Sequence, residues 1–108
     1  FTTFSFLEGQ TMREADFQRN LIKELKDTFP GIEIMKQDAS YKQGQPDLVL
    51  FYRDKYAMLE CKCSEYAHHQ PNQDYYVSKF DDWAFARFIY PENKEKVITD
   101  LKGWFAYE

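Results

Sequence analysis

Two apolar segments separated by a short polar turn constrain the fold of this chain more than any other feature. Residues 45–52 (QPDLVLFY) and 56–62 (YAMLECK) are rich in aliphatic and aromatic side chains, and residues 53–55 (RDK) lie between them. Such a pattern predicts a β-hairpin. Pro46 lacks an amide donor, so it suits the start of the first strand rather than its middle.

Charged residues gather at the open end of this predicted hairpin. Because side chains alternate between the two faces of a strand, Glu60 and Lys62 share one face. A two-residue loop at 53–54 or 54–55 places Asp47 opposite Glu60 or Lys62 on that same face, whereas a three-residue loop requires a bulge to do so. Two carboxylates and an amine at one strand end predict a divalent-metal site with a cation beside it.

A helical period runs through residues 12–29 and ends at a Pro-Gly pair. At about 100° per residue, its apolar side chains form one arc of roughly 140°. The members of this arc are Phe17, Leu21, Ile22, Leu25 and Phe29. Glu14 and Gln18 fall inside the same arc. Glu14 either interacts favourably with the helix dipole or reaches the carboxylate cluster around Asp47, and the sequence leaves both interpretations open.

A second helix is predicted from Pro71, which suits a first helical turn, to about residue 80. Its apolar face contains Tyr76, Val77 and Phe80, and Gln73 lies on that face as well. A polar side chain on an apolar face again points toward the predicted site.

The remaining patterns complete an α/β domain. Residues 32–36 alternate as a short strand, and residues 83–90 predict a strand covered on both faces after a turn at Asp81 and Asp82. Residues 92–104 predict a closing amphipathic helix. The element order is therefore αβββαβα, with one connection long enough for a parallel crossover.

The composition fits one soluble domain in a reducing compartment. Of the 108 residues, 44% are apolar and 30% charged, and no run approaches the roughly 20 apolar residues of a membrane span. Residues 1–11 are expected to be a loose arm or an expression-derived extension before a single domain at 12–108. Cys61 and Cys63 are too close in sequence for an ordinary disulfide, which favours the cytoplasm.

The charge balance does not decide whether the partner is a nucleic acid. A net charge of −4 is unfavourable for binding DNA. Metal-dependent nucleases, however, use acidic residues to hold cations and can concentrate their basic side chains locally.

The residues at the hairpin end suit phosphodiester hydrolysis. That reaction needs an attacking water and neutralisation of charge at phosphorus, and metal ions held by carboxylates supply both. Asp47 and Glu60 offer oxygen ligands for Mg²⁺ or Mn²⁺, and the backbone carbonyl of Cys61 could add another. Lys62 could orient the water, help to deprotonate it and stabilise the developing charge.

These motifs resemble the PD-(D/E)XK nuclease superfamily and, more narrowly, the small stand-alone VRR-NUC nucleases of phages and prophages. The resemblance rests on residues 44–48 (GQPDL), residues 60–62 (ECK) and Gln73. Residues 71–77 (PNQDYYV) and 91–93 (PEN) are also similar, and the likeness extends roughly from residue 12 to residue 105.

The resemblance implies a restriction-endonuclease-like fold, in which helices flank the mixed sheet of an αβββαβ core, with a further C-terminal helix. It implies a Mg²⁺- or Mn²⁺-dependent DNA endonuclease, a homodimer that cuts branched DNA such as Holliday junctions, in the host cytoplasm if phage-encoded. By position, Asp47 and Glu60 would be metal ligands and Lys62 the catalytic lysine. Glu14 would complete the metal site, and Gln73 would support catalysis.

Candidate DNA contacts are polar or basic residues near the predicted site and turns. They are Arg13, Gln18, Lys36, Lys42, Gln43 and Lys55. Each basic residue among them could equally be an ordinary solvated surface charge.

Alternative functions also follow from the sequence. Cys61 and Cys63 could bind zinc together with the His68-His69 pair, but the spacing matches no usual finger and favours buried thiols. Most aromatic residues follow core periods, although exposed ones such as Tyr75 could stack on bases. A second class of function is a non-catalytic module that binds DNA structures or proteins, which would not need the full metal-site set.

Overall fold

The structure, a computed structural model, describes residues 13–37 and 44–106. The predicted arm at residues 1–11 lies outside these ranges, and so do Lys42 and Gln43. No helix in the described ranges is long and apolar enough to cross a membrane.

Three helices and four strands follow one another in the predicted order αβββαβα. They are α1 (Glu14–Thr28), β1 (Glu33–Lys36), β2 (Leu48–Tyr52), β3 (Lys55–Cys61), α2 (Pro71–Trp83), β4 (Ala86–Ile89) and α3 (Lys94–Ala106). The α/β class predicted from the sequence is confirmed.

The four strands form one mixed sheet in the order β1-β2-β3-β4. The first three strands are antiparallel neighbours, and β4 runs parallel to β3. A parallel neighbour requires a crossover connection, and α2 lies within that connection. The predicted mixed sheet with flanking helices is therefore present.

The hairpin of β2 and β3 closes with a two-residue loop at Arg53 and Asp54. Tyr52 pairs with Lys55 at the loop, and Leu48 pairs with Leu59 at the other end. Continuing this register by one residue brings Asp47 opposite Glu60, which is one of the two alternatives that the sequence allowed.

Different helices cover the two faces of the sheet. The larger apolar cluster joins α1 and α3 to the face that carries Leu59 and Cys61. The smaller cluster joins Val77 of α2 to Met58 on the opposite face. Because Glu60 has the same strand phase as Met58, its side chain projects toward α2.

The boundary between α2 and β4 differs from the prediction. The predicted turn at Asp81 and Asp82 is wrong, since α2 continues through Trp83 and β4 begins only at Ala86. The amide of Ala84 closes the helix on the Phe80 carbonyl at 2.8 Å. Trp83 is 66% exposed, so its apolar character reflects a helix surface and not a buried strand.

The predicted closing amphipathic helix is present as α3. Its buried residues are Val97, Ile98, Leu101 and Phe105, whereas Trp104 is only half-buried. The indole Nε1 of Trp104 donates to the Tyr56 carbonyl at 2.9 Å. The Trp104 ring thus lies at the edge of the core, where its polar N–H group has a hydrogen-bond acceptor.

Gly44 joins the segment before β2 to the first turn of α2. Its φ is +90°, a conformation that residues with a Cβ rarely adopt. A Cβ at this position would overlap the Cβ of Asn72 and lie 3.0 Å from the Asn72 carbonyl carbon. Both the backbone conformation and the close approach therefore require glycine.

Replacing Gly44 by alanine is expected to destabilise the protein by about 2–4 kcal/mol, since a left-handed conformation and a steric overlap add together. Gly31→Ala is the matched control, because Gly31 also has a φ of +90° but no atom lies within 4 Å of its virtual Cβ. Urea unfolding should show a loss of only about 1–2 kcal/mol for this control. Equal losses in the two variants would contradict the proposed contact with Asn72.

Candidate active site

The charged residues predicted from the hairpin meet at one end of the sheet, beside the first turn of α2. Asp47 precedes β2, Glu60 lies near the end of β3, and Lys62 directly follows that strand. Glu60 is 1% exposed and Lys62 is 6% exposed. Charged groups are rarely buried to this extent unless they are paired and hydrogen-bonded.

Two backbone amides at the end of the hairpin ladder donate to the carboxylates of Glu60 and Asp47. The Asp47 amide donates to Glu60 Oε1 at 3.1 Å. The Cys61 amide donates to Asp47 Oδ2 at 3.0 Å. Carboxylates thus replace backbone carbonyls as acceptors where the ladder ends, and both carboxylates are held close to the strand ends.

Gln73 bridges Glu60 and Lys62. Its Nε2 donates to Glu60 Oε2 at 2.7 Å, and its Oε1 accepts from Lys62 Nζ at 2.7 Å. The direct separation between Lys62 Nζ and Glu60 Oε2 is 3.9 Å. Since a carboxylate only accepts and an ammonium only donates, these partners fix which end of the amide faces which charge.

The start of α2 fixes the position of Gln73. The Gln73 amide donates to the Gln70 carbonyl at 2.9 Å, and the Gln70 amide donates back to Gln73 Oε1 at 3.0 Å. Reciprocal bonds of this kind satisfy donors that the first turn of a helix leaves open. The same bonds hold the Gln73 side chain in one orientation.

The segment before α2 supplies another partner for the lysine. The His68 carbonyl accepts a hydrogen bond from Lys62 Nζ at 3.0 Å. The neighbouring His69 ring stacks on Phe88 with centroids 4.0 Å apart, and its Nδ1 lies 2.9 Å from Asp74 Oδ1. The stacked ring anchors the backbone that holds Lys62.

Glu14 lies near this group from the first turn of α1. Burial and the negative charge of Asp47 raise the pKa of Glu14, and Lys62 acts in the opposite direction. One turn later, Gln18 makes a side-chain hydrogen bond with Cys61, where α1 packs on the sheet through Phe17. The structure thus brings Glu14 near Asp47 and Lys62, as one of the two sequence interpretations expected.

The environment of Glu60 disfavours its ionised form. Burial, followed by the charge of Asp47, raises the pKa of Glu60 to about 8. Lys62 and the Asp47 amide act in the opposite direction but do not compensate for burial. Burial also raises the pKa of Asp47. A group of carboxylates that destabilise one another's charge is a favourable place for a cation.

The donor set fits a divalent ion that keeps much of its water shell. Within residues 13–37 and 44–106, no three His, Cys, Asp or Glu side chains are grouped closely enough to hold a metal by themselves. Mg²⁺ is commonly held by only one or two carboxylates together with waters. Asp47 Oδ2 accepts from the Cys61 amide, and within the described residues no hydrogen bond to Asp47 Oδ1 is found.

The structure does not bring all the candidate DNA contacts to the site. Lys36 ends β1 opposite Leu48, close to Asp47, whereas Lys55 lies at the loop end of the hairpin with its ammonium over the Trp104 ring. Arg13, at the start of α1, pairs with Asp16 at 3.1 Å. Gln18 contacts Cys61 and is half-buried, while Lys42 and Gln43 lie outside the described residues.

Sequence patterns did not identify the residues that hold Lys62 and Gln73. A backbone acceptor such as the His68 carbonyl has no sequence signal, and the stacking of His69 depends on the tertiary arrangement. Gln70 could have been found, because Gln70 and Gln73 have the spacing of a capping box before a helix.

Comparisons with known proteins identify the fold. A scan against protein-family models gives no match, and a search of curated proteins also gives none. A solved structure described as "VRR_NUC domain" superposes with a TM-score of 0.65 and 18% sequence identity. The match covers 84% of this chain and 96% of that chain. At this identity the likeness concerns the fold, so the protein has the fold of a VRR_NUC domain, as its motifs predicted.

The metal-free protein is expected to lose stability as the pH rises. The folded-state pKa of Glu60 lies above its ordinary value, so its contribution is fully favourable below about pH 4.5 and is lost as the pH approaches 8. Glu60→Gln cannot ionise. Measured in EDTA, the Tm of this variant relative to wild type should therefore increase by roughly 5 °C or more between pH 5 and pH 8.

Glu95→Gln, at an exposed position in the first turn of α3, is the control and should keep the wild-type pH dependence. Glu60→Gln also carries a constant penalty, because the introduced amide nitrogen faces a donor. The informative quantity is therefore the change with pH of the Tm difference between Glu60→Gln and wild type. A Tm difference that is the same at pH 5 and pH 8 would show that Glu60 ionises normally.

Proposed function

We propose that the protein is a divalent-metal-dependent DNA endonuclease, of the small stand-alone VRR-NUC type within the PD-(D/E)XK superfamily. The observation that carries this proposal is the linked group of Asp47, Glu60, Lys62 and Gln73 at one sheet end, in which Glu60 and Lys62 are buried and the other two are half-buried. A group of residues without a role in binding or catalysis would not need a buried lysine beside two carboxylates whose ionised forms are disfavoured. The VRR_NUC fold adds support, since a nuclease domain has DNA as its substrate.

Four oxygen donors are proposed to hold Mg²⁺ or Mn²⁺. Asp47 and Glu60 are proposed as the principal ligands together with water, and the backbone carbonyl of Cys61 and the more distant Glu14 are proposed as further ligands. When bound, such an ion lowers the pKa of water and neutralises charge on the phosphodiester. Both effects are needed for hydrolysis near neutral pH.

Lys62 is proposed to act on the attacking water and on the developing phosphate charge. Its ammonium has three donors, and the bonds to Gln73 and the His68 carbonyl use two of them. The third is available to substrate. A fixed cation in a buried site stabilises a transition state more than it would in water, because it needs no reorganisation.

Gln73 is proposed to be a positioning residue. Its amide does not titrate near neutral pH, so it cannot act as a general acid or base. It holds Lys62 and Glu60 at a separation of 3.9 Å, which is an ion-pair distance longer than a hydrogen bond.

Replacing Lys62 by methionine is expected to lower the rate of DNA cleavage by about 100-fold or more, because an oriented charge is lost. The variant should fold, since methionine has a similar length and fills the same space. The measurement is nicking of four-way, flap and duplex DNA, each with Mg²⁺ and with Mn²⁺, and each repeated in EDTA.

Lys23→Met is the control, because Lys23 is exposed on α1 and lies outside the proposed site. It should cleave at the wild-type rate. Cleavage by Lys62→Met at that same rate would exclude the proposed role of Lys62. Absence of metal-dependent cleavage by wild type on every substrate would instead favour a non-catalytic module that binds DNA structures.

The preferred substrate is proposed to be branched DNA, such as a Holliday junction, cut by a homodimer. One chain contains one site, whereas symmetric cutting of a four-way junction needs two sites related by a two-fold axis. Sedimentation should therefore give twice the chain mass of 13.0 kDa, in free solution or on a four-way junction. A strict monomer in both conditions would contradict junction resolution, although not the nuclease activity.

A further inference from the structure

The exposed face of α2 carries two aromatic rings and a lysine in one row. Tyr75, Lys79 and Trp83 are spaced four residues apart, so they lie along one side of the helix. Tyr75 is 58% exposed and Trp83 is 66% exposed. Large aromatic side chains on the outer side of a helix contribute little to the core and are enriched where proteins bind partners. We call these three residues the aromatic row.

The rings of the aromatic row are supported from below by a second pair of rings. Tyr75 rests edge-on against Tyr76 with centroids 5.0 Å apart, and Trp83 rests edge-on against Phe80 at 5.7 Å. Tyr76 and Phe80 in turn stack on each other at 5.7 Å. The exposed rings are therefore held in place before any ligand arrives, which reduces the entropy lost on binding.

Lys79 places a positive charge between the two exposed rings. Its Nζ lies 4.9 Å from the Trp83 ring centroid and 5.5 Å from that of Tyr75. An ammonium over an aromatic face is attracted by the ring quadrupole. A base that stacks on either ring would bring its phosphate toward the same ammonium, so one surface offers both contacts that a nucleotide needs.

We propose that the aromatic row binds an unpaired DNA strand next to the cleavage site. Stacking on aromatic side chains combined with a positive charge along the backbone is the general mode of single-strand binding. Residues four apart in a helix are separated by about 6 Å along its axis, which is comparable to the step between nucleotides in an extended strand. The proposal rests on the proposed nuclease function and specifies its substrate as DNA with an unpaired segment.

The aromatic row begins near Gln73 in sequence but on the outer side of α2. Tyr75 follows Gln73 by two residues, so at about 100° per residue its side chain points roughly 200° away from that of Gln73, and Trp83 lies about 15 Å from Gln73 along the axis. A strand bound to the row would therefore have to pass around the start of α2 to enter the site. Duplex DNA would have to unpair to make these contacts, because its bases already stack on one another.

The charge on this surface gives the proposal a specific test. Asp82 lies on the same face of α2 as the aromatic row and would repel a phosphate backbone. If a polyanion binds here, then removing Asp82 strengthens binding and removing Lys79 weakens it. A second copy of this chain, docked through apolar contacts, would not show these opposite responses.

The experiment measures binding of a fluorescein-labelled dodecathymidylate by anisotropy, with full-length Lys62→Met protein and Mg²⁺. Trp83→Leu, which keeps an apolar side chain but removes the ring, should weaken binding about fivefold or more. The affinity of Trp83→Phe should stay within about twofold of that of the parent protein because phenylalanine keeps an aromatic ring. Lys79→Gln should weaken binding by a similar factor, and Asp82→Asn should strengthen it about twofold.

Lys23→Gln is the charge control and should not change affinity, because α1 packs on the other face of the sheet. Binding by Trp83→Leu equal to that of the parent would overturn the proposal. The proposal would also be overturned if Trp83→Leu lost self-association without any change in oligonucleotide affinity. In that case the aromatic row would be an interface between two copies of this chain.

The outcomes also separate this proposal from the nuclease assignment. If wild type nicks four-way DNA but the parent protein does not bind the oligonucleotide, the nuclease stands and the aromatic row is refuted. If oligonucleotide binding depends on the aromatic row but wild type cuts no substrate, strand binding by the row is supported and the proposed nuclease function is refuted.

Discussion

The amide of Gln73 is the interaction on which the rest of the site depends. Burying Glu60 and Lys62 costs solvation free energy that is recovered only when both charges have well-placed partners. A direct ion pair would satisfy them but would leave neither free to act on a ligand. The bridging amide keeps Nζ and Oε2 at 3.9 Å and satisfies both charges by hydrogen bonds of 2.7 Å. Both buried groups therefore have hydrogen-bond partners besides each other.

The position of the site follows from how the sheet ends. Beyond the pair of Leu48 and Leu59, the strands no longer exchange backbone hydrogen bonds, so their amides need other acceptors. The Glu60 carboxylate accepts from the Asp47 amide, and the Asp47 carboxylate accepts from the Cys61 amide. The same residues thus terminate the ladder and place two carboxylates side by side, as the proposed cation site requires. Burial raises the pKa of both, and the charge of Asp47 adds to this effect at Glu60.

The sequence was sufficient to predict the elements whose periods are long or whose ends are marked. Alternation in the hairpin predicted that Glu60 and Lys62 share a face. Helical phase predicted that Gln73 turns toward the site, and for Glu14 it left two interpretations open. Prediction failed at Trp83, because a continuous apolar run does not distinguish a buried strand from a helix end with an exposed ring. It could not identify the His68 carbonyl either, since that contact depends on a loop conformation that no side-chain pattern encodes.

The first turn of α2 connects every part of the proposed activity. Gly44 packs against Asn72 and ties this turn to the segment that leads into Asp47. The next residue, Gln73, holds the two buried charges, and Asp74 lies 2.9 Å from His69, whose neighbour holds Lys62. The aromatic row starts one residue later. If a DNA strand binds along α2 as proposed, its contacts fall on the same helix that positions Glu60 and Lys62 through Gln73.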